Sequence, residues 1–125
     1  MILVDTSVWV DHLQKGDTHL ATLLERGTVA MHPFIVGEIA CGSLADRRNV
    51  LELLQDLPAA VVAEGAEVLE FIERHTLHGK GIGYVDVHLL ASAALTPNST
   101  LWTRDRRLRE AAELLGCAHQ PAGAH

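Results

Sequence analysis

The stretch ILVDTSVWV, residues 2–10, decides the expected fold, because it changes from a strand pattern to a helical pattern around one acidic residue. Residues 2–4 suit a short buried strand, and the apolar spacing over residues 7–14 is that of a helix. Asp5 therefore stands where the strand ends, at the rim of an apolar core. A carboxylate in that position needs a compensating partner.

The composition predicts one globular domain over residues 1–125, with residues 121–125 forming a disordered tail. The sequence is 48% hydrophobic and 21% charged, as globular domains are. Its net charge of −6 argues against a broad nucleic-acid-binding surface but is compatible with a local basic stripe. Without a leader-like segment, a long apolar run or paired cysteines, a cytoplasmic protein that spans no membrane is expected.

Short apolar strands alternate with helices along the chain. Beside residues 2–4, strands are predicted over residues 28–31, 59–62 and 99–103. This alternation indicates the α/β class, with a short-stranded central parallel sheet between helices in three layers. In such sheets the ligand site lies at the carboxyl ends of the strands.

Two acidic residues follow predicted strands directly. Asp5 follows residues 2–4, and Asp105 comes just after the apolar stretch STLWT at residues 99–103. Both are therefore expected at the same edge of the sheet. An alternative role for each is helix capping, since Asp before a helix accepts backbone N–H bonds.

Two further acidic residues lie in apolar helical segments. Glu38 has Phe34, Ile35 and Cys41 as helical neighbours, and Asp86 opens the almost entirely apolar helix of residues 84–95. The alternatives are a rim residue that reaches water for Glu38, and a carboxylate favoured by the helix dipole for Asp86.

Four carboxylates in one cleft would repel each other strongly. Two of them about 5 Å apart repel by roughly 3 kcal/mol at an effective dielectric constant near 20. The cluster would respond by raising pKa values or by binding a hard divalent cation. Oxygen ligands without soft partners favour Mg²⁺, with Mn²⁺ as a substitute.

Four stretches resemble the PIN domain, and specifically the VapC toxins of bacterial toxin–antitoxin pairs. They are LVDTSVWVDHL (residues 3–13), FIVGEIACGSL (34–44), GYVDVHLLASA (83–93) and LWTRDRRL (101–108), in the order and spacing of that family. The resemblance covers essentially the whole chain. Matched motif by motif, the pocket acids of the family fall on four residues, Asp5, Glu38, Asp86 and Asp105.

The resemblance implies a metal-dependent endoribonuclease that cleaves RNA with a Mg²⁺-activated water. Asp5, Asp86 and Asp105 would bind the metal or its water, and Glu38 would orient the attacking water. The family also implies a homodimer and a VapB-type antitoxin as partners. Three hydroxyl residues, Thr6, Ser7 and Thr103, are candidates for hydrogen bonds to the acids or to metal-bound water, with helix capping as the alternative for Thr6 and Ser7.

Four arginines within six residues surround Asp105 and are candidates for RNA-phosphate contacts: Arg104, Arg106, Arg107 and Arg109. Some relatives carry an acid where this chain has Arg106 and Arg107, which argues against tight binding of a second metal and leaves the number of metal ions open. The alternative is a solvated helix face, because Glu110 and Glu113 stand four residues after Arg106 and Arg109.

Two other functions are compatible with acids at strand ends. A Mg²⁺-dependent phosphatase is disfavoured because Ser7, rather than a second aspartate, stands two residues after Asp5. A non-catalytic interaction module is disfavoured because all four acids are present. His75 and His78 are expected at the surface, His88 is expected to turn away from Asp86, and Cys41 is expected in the core.

Overall fold

A computed structural model describes residues 1–121, in which three short strands are distributed among seven helices. Of the predicted tail only Pro121 is described, and residues 122–125 lie outside the described part. The elements are β1 Ile2–Val4, α1 Thr6–Lys15, α2 Thr18–Glu25, β2 Val29–Ala30, α3 Pro33–Ala40, α4 Arg47–Gln55, α5 Gly65–His75, α6 Tyr84–Leu95, β3 Thr100–Trp102 and α7 Arg106–Leu114.

The strands form a parallel sheet in the order β2-β1-β3, with β1 in the centre. Leu3 pairs with Leu101 and Val4 with Trp102. These four side chains are all at least 95% buried although successive residues of a strand point to opposite faces. Both faces of the sheet are therefore covered, which confirms the α/β class and the layered arrangement.

The prediction of a strand over residues 59–62 is wrong. Within that range only Ala59 pairs with the sheet, through an isolated parallel bridge to Met31. The carbonyl of Val61 instead accepts a hydrogen bond from the Ser92 hydroxyl of α6. Val61 and Val62 are also about half exposed. They give the sequence the apolar pattern of a strand, although they do not form a buried strand.

Helix α6 fixes the position of Asp86 relative to the sheet. Seven consecutive residues, 87–93, are buried, and the helix packs against β1, β3, α5 and α7. This burial on all sides explains why the helix carries no polar face. No helix within residues 1–121 has the length and apolar character needed to cross a membrane.

Candidate functional site

The carboxyl ends of β1 and β3 bring Asp5 beside Thr103. The backbone N–H of Asp5 donates to the carbonyl of Trp102 at 2.8 Å, which extends the parallel pairing past the strand. The Asp5 side chain is only 6% exposed, and its Oδ2 accepts hydrogen bonds from the hydroxyls of Thr103 at 2.7 Å and Ser7 at 2.8 Å. These hydroxyls compensate the carboxylate that interrupts the apolar run.

Asp105 is joined to this group through Thr103. Its backbone N–H donates to the Thr103 hydroxyl oxygen at 3.1 Å. Its Oδ1 accepts from the backbone N–H of Leu108 at 3.0 Å, so Asp105 caps α7. The capping alternative therefore holds for Asp105 but not for Asp5, whose side chain makes no capping bond to α1.

Glu38 approaches the site from α3 and remains exposed at the rim. Its Oε1 accepts a hydrogen bond from the Thr6 hydroxyl at 2.7 Å, in the first turn of α1. Helices α1 and α3 pack against each other, so this bond joins two elements that the core already holds together.

Asp86 has a raised pKa to which burial and the other three candidate acids contribute. Burial raises the pKa of this half-buried residue, and the negative charges of Asp5, Asp105 and Glu38 raise it further. A hydrogen bond from the Gly83 backbone opposes the shift without cancelling it. The fold thus brings together acids from four separate places in the sequence.

The donor set fits a hard divalent cation in its chemistry, since all four groups are carboxylates and their mutual repulsion calls for positive charge. Asp5, Glu38 and Asp105 each use one oxygen in the hydrogen bonds above, and the other oxygen has no hydrogen-bond partner within residues 1–121. No three acidic, histidine or cysteine side chains of this described part stand at the spacing of an assembled metal site. A shared cation would therefore require side-chain rotation.

Arg104 links two helices rather than facing the four acids. Its Nε lies 2.6 Å from Oδ2 of Asp11, and its Nη2 lies 2.9 Å from Oδ2 of Asp17. Burial alone would raise the pKa of Asp17, but hydrogen bonds from Leu20 and Arg104 outweigh it and hold that pKa below its ordinary value. Arg104 therefore has two carboxylate partners near α1 and α2.

The remaining three arginines differ in their partners. Arg106 pairs with Glu110 at 3.4 Å and Arg109 with Glu113 at 3.7 Å, which is the helix-face arrangement given above as the alternative. Arg107 has no carboxylate within salt-bridge distance among residues 1–121. A phosphate contact thus remains a prediction for all four arginines.

A cavity of about 660 Å³ lies at the carboxyl end of β3. Trp102, Thr103, Arg104, Arg109 and His119 contribute to its wall. Because Thr103 also binds Asp5, the wall of this cavity and the carboxylate site share a side chain.

A cluster of two buried histidines with two exposed aromatic side chains, beside α3 and α6, was missed by sequence reasoning. His32 caps α3 through Nδ1, which accepts from the Phe34 backbone N–H at 3.0 Å. His88 makes ring-edge contacts with Phe34 and Tyr84. Burial and the neighbouring His88 lower the pKa of His32. The position of His32 directly before Pro33 was the available signal, since it is a helix-capping position.

The minor expectations had mixed outcomes. His78 is exposed and His75 half-buried. His88 is 5% exposed and thus a core residue. Cys41 is exposed at the end of α3, so its expected place in the core is wrong, whereas Cys117 is buried.

Comparison with known proteins gives three matches that agree with one another. The PIN domain family pattern matches residues 2–114. The chain is 45% identical over 118 residues to Ribonuclease VapC32 of two Mycobacterium tuberculosis strains, covering 94% of this chain and 95% of the relative. The crystal structure of FitAcB from Neisseria gonorrhoeae superimposes with a TM-score of 0.61 at 23% identity, over 90% of this chain and 94% of that chain.

Replacing Thr103 by Val should destabilise the protein by about 1–3 kcal/mol, because the buried carboxylate of Asp5 loses a donor and the N–H of Asp105 loses its acceptor. Urea denaturation measures the change. Thr100→Val in β3 is the matched control, since its hydroxyl has no hydrogen-bond partner within the described chain. Equal effects of the two substitutions would contradict the role given to Thr103.

Replacing Asp86 by Asn should raise the melting temperature of the metal-free protein at neutral pH by a few degrees. The raised pKa means that the folded state holds the Asp86 proton more tightly than the unfolded state. Wild-type stability therefore falls as pH rises from the ordinary value of 3.8 through the folded pKa, and the Asn variant lacks this loss.

Thermal melts in EDTA over the acidic to neutral range test this difference. The advantage of Asp86→Asn should vanish below the ordinary carboxyl pKa, and Asp56→Asn at the exposed end of α4 is the control substitution. A variant that melts below wild type at neutral pH would show that Asp86 is mainly structural.

Proposed function

The chain belongs to the PIN domain family and, within it, to the VapC-type toxins, and from this premise we propose that it is a metal-dependent endoribonuclease. The observation that supports the proposal most is the pKa of Asp86, which is raised by burial and further by three other carboxylates from distant parts of the chain. Such a concentration of negative charge destabilises the metal-free protein and is expected where charge is needed for chemistry.

Asp5, Asp86 and Asp105 would hold the cation, and Glu38 would orient the attacking water. When bound, Mg²⁺ or Mn²⁺ would polarise a phosphoryl oxygen and lower the pKa of a coordinated water. The hydroxyls of Ser7 and Thr103 hold Asp5 through Oδ2 and leave its Oδ1 for a ligand.

The Thr6 hydroxyl holds the Glu38 carboxylate in place for this role. The hydrogen bond from the Thr6 hydroxyl occupies Oε1 and fixes the carboxylate, so Oε2 remains to accept a proton from water. The exposed position of Glu38 at the rim suits contact with solvent and with a strand of RNA.

The VapC assignment also supports a VapB-type antitoxin as the protein partner, a homodimer as the assembly, and the cytoplasm as the location. Light scattering on the purified chain, alone and with a co-expressed antitoxin, tests the dimer and the complex. A monomer at all concentrations would exclude the homodimer.

Replacing Asp5 by Asn should lower RNA cleavage by more than about a hundredfold, since even residues that only support a metal ligand cost 10–100-fold when mutated. Total RNA is incubated with wild type, Asp5→Asn or the surface control Asp56→Asn, each with Mg²⁺, Mn²⁺ or EDTA. Wild type and the control should cleave with either metal and not with EDTA.

Two results would overturn the proposal. Release of phosphate from small esters, with RNA intact, would indicate a phosphatase. Intact RNA in every lane, together with normal folding and antitoxin binding, would indicate an interaction module.

A further inference from the structure

The glycine loop, residues 78–83 between α5 and α6, is in direct contact with Arg107 of α7. A Cβ atom built on Gly81 would lie 2.9 Å from Cζ and 3.0 Å from Cδ of Arg107. Gly81 also has a φ of +74°, a left-handed conformation that favours glycine. The Arg107 side chain thus occupies space that exists only because residue 81 lacks a side chain.

The same loop is tied to the acid site two residues later. The Gly83 backbone donates a hydrogen bond to Asp86, and a Cβ on Gly83 would lie 3.7 Å from Oδ2 of Asp86. Two peptide links separate Gly81 from Gly83, so their Cα atoms are no more than about 7 Å apart. The same short loop therefore contacts Arg107 at Gly81 and approaches Asp86 at Gly83.

Among the four arginines near Asp105, Arg107 is the one that has no carboxylate partner within residues 1–121. Arg104, Arg106 and Arg109 all have carboxylate partners. Lys80 of the glycine loop likewise makes no salt bridge within the described chain, whose ion pairs involve arginines alone.

Lys80 and Arg107 line one cavity of about 160 Å³. His75 and Glu110 also line it, and Glu110 is the partner of Arg106. A planar guanidinium presents paired N–H groups to phosphate oxygens, and a lysine ammonium adds a point charge. Two cations without carboxylate partners within residues 1–121 at one small cavity form an arrangement suited to an oxyanion.

We propose that Lys80 and Arg107 form a subsite for a non-scissile phosphate of the RNA backbone, and that Gly81 is a positioning residue that lets Arg107 reach it. This inference rests on the proposed function, because the phosphate belongs to the RNA that the acids would cleave. It separates Arg107 from the three neighbouring arginines, whose charges are matched by carboxylates.

Arg107→Ala should weaken binding of a labelled single-stranded RNA pool of random sequence several-fold. It should also lower the slope of log K against log salt by about 0.7, the value for one phosphate contact on a single strand. Lys80→Ala should act similarly. Fluorescence anisotropy in EDTA measures binding without cleavage, and Arg74→Ala is the control, since Arg74 pairs with Glu70 at 2.7 Å on the surface of α5.

Gly81→Ala tests the positioning role. It should reproduce the loss of affinity and slope seen for Arg107→Ala, because the new Cβ displaces the guanidinium. Gly79→Ala is the matched control: Gly79 has a φ of +71° in the same loop, but a Cβ there would meet no atom within 4 Å. Both variants carry the same backbone strain, and only one should alter RNA binding.

The outcomes separate this inference from the proposed function. Wild type that binds RNA while Arg107→Ala and Arg74→Ala keep the same salt slope would overturn the subsite alone. Competition by inorganic phosphate that Arg107→Ala abolishes, with the RNA slope unchanged, would indicate a free-phosphate site and also overturn it. Wild type that neither binds nor cleaves RNA would overturn both proposals.

Discussion

The parallel pairing of β1 with β3 is the constraint on which the site depends. The register Val4 to Trp102 places Asp5 level with Thr103, and the hydroxyl of Thr103 then reaches both Asp5 and the N–H of Asp105. A slip of one residue would turn every side chain of the strand to the opposite face of the sheet. The burial of both faces of β1 opposes that slip, so core packing determines where the carboxylates meet.

The protein stabilises its acids unequally. Asp5 has two hydroxyl donors, Asp105 caps a helix and Glu38 has Thr6, whereas Asp86 combines partial burial with repulsion from the other three. The unfavourable electrostatic free energy is therefore concentrated on a residue at the start of α6. That helix is buried over seven consecutive residues and packs against two strands, so it cannot move aside to relieve the repulsion.

Local pattern was sufficient for the helices, for three of the four predicted strands and for the acids at strand ends. The change of period around Asp5 follows from spacing and the bounds of α6 from its almost entirely apolar sequence, whereas the roles proposed for Glu38 and Asp86 depend on the order of four motifs. The strand over residues 59–62 failed because half-exposed valines give the same pattern as buried ones. The carboxylate partners of Arg104 lie about 90 residues away, in α1 and before α2. Local sequence spacing does not predict contacts between residues so far apart.

Under the proposed function, cations that have no carboxylate partner would explain how an acidic chain positions RNA. With a net charge of −6, the protein as a whole repels RNA, and steering must come from cations that no carboxylate already neutralises. Screening at physiological salt limits such cations to about 8 Å of the phosphate that they attract. The proposed subsite would supply such a cation, because Arg107 has no carboxylate partner within residues 1–121 and contacts the loop that approaches Asp86. Gly81 and Gly83 carry no functional group. Gly81 nevertheless leaves space for the Arg107 side chain, and Gly83 lies next to Asp86.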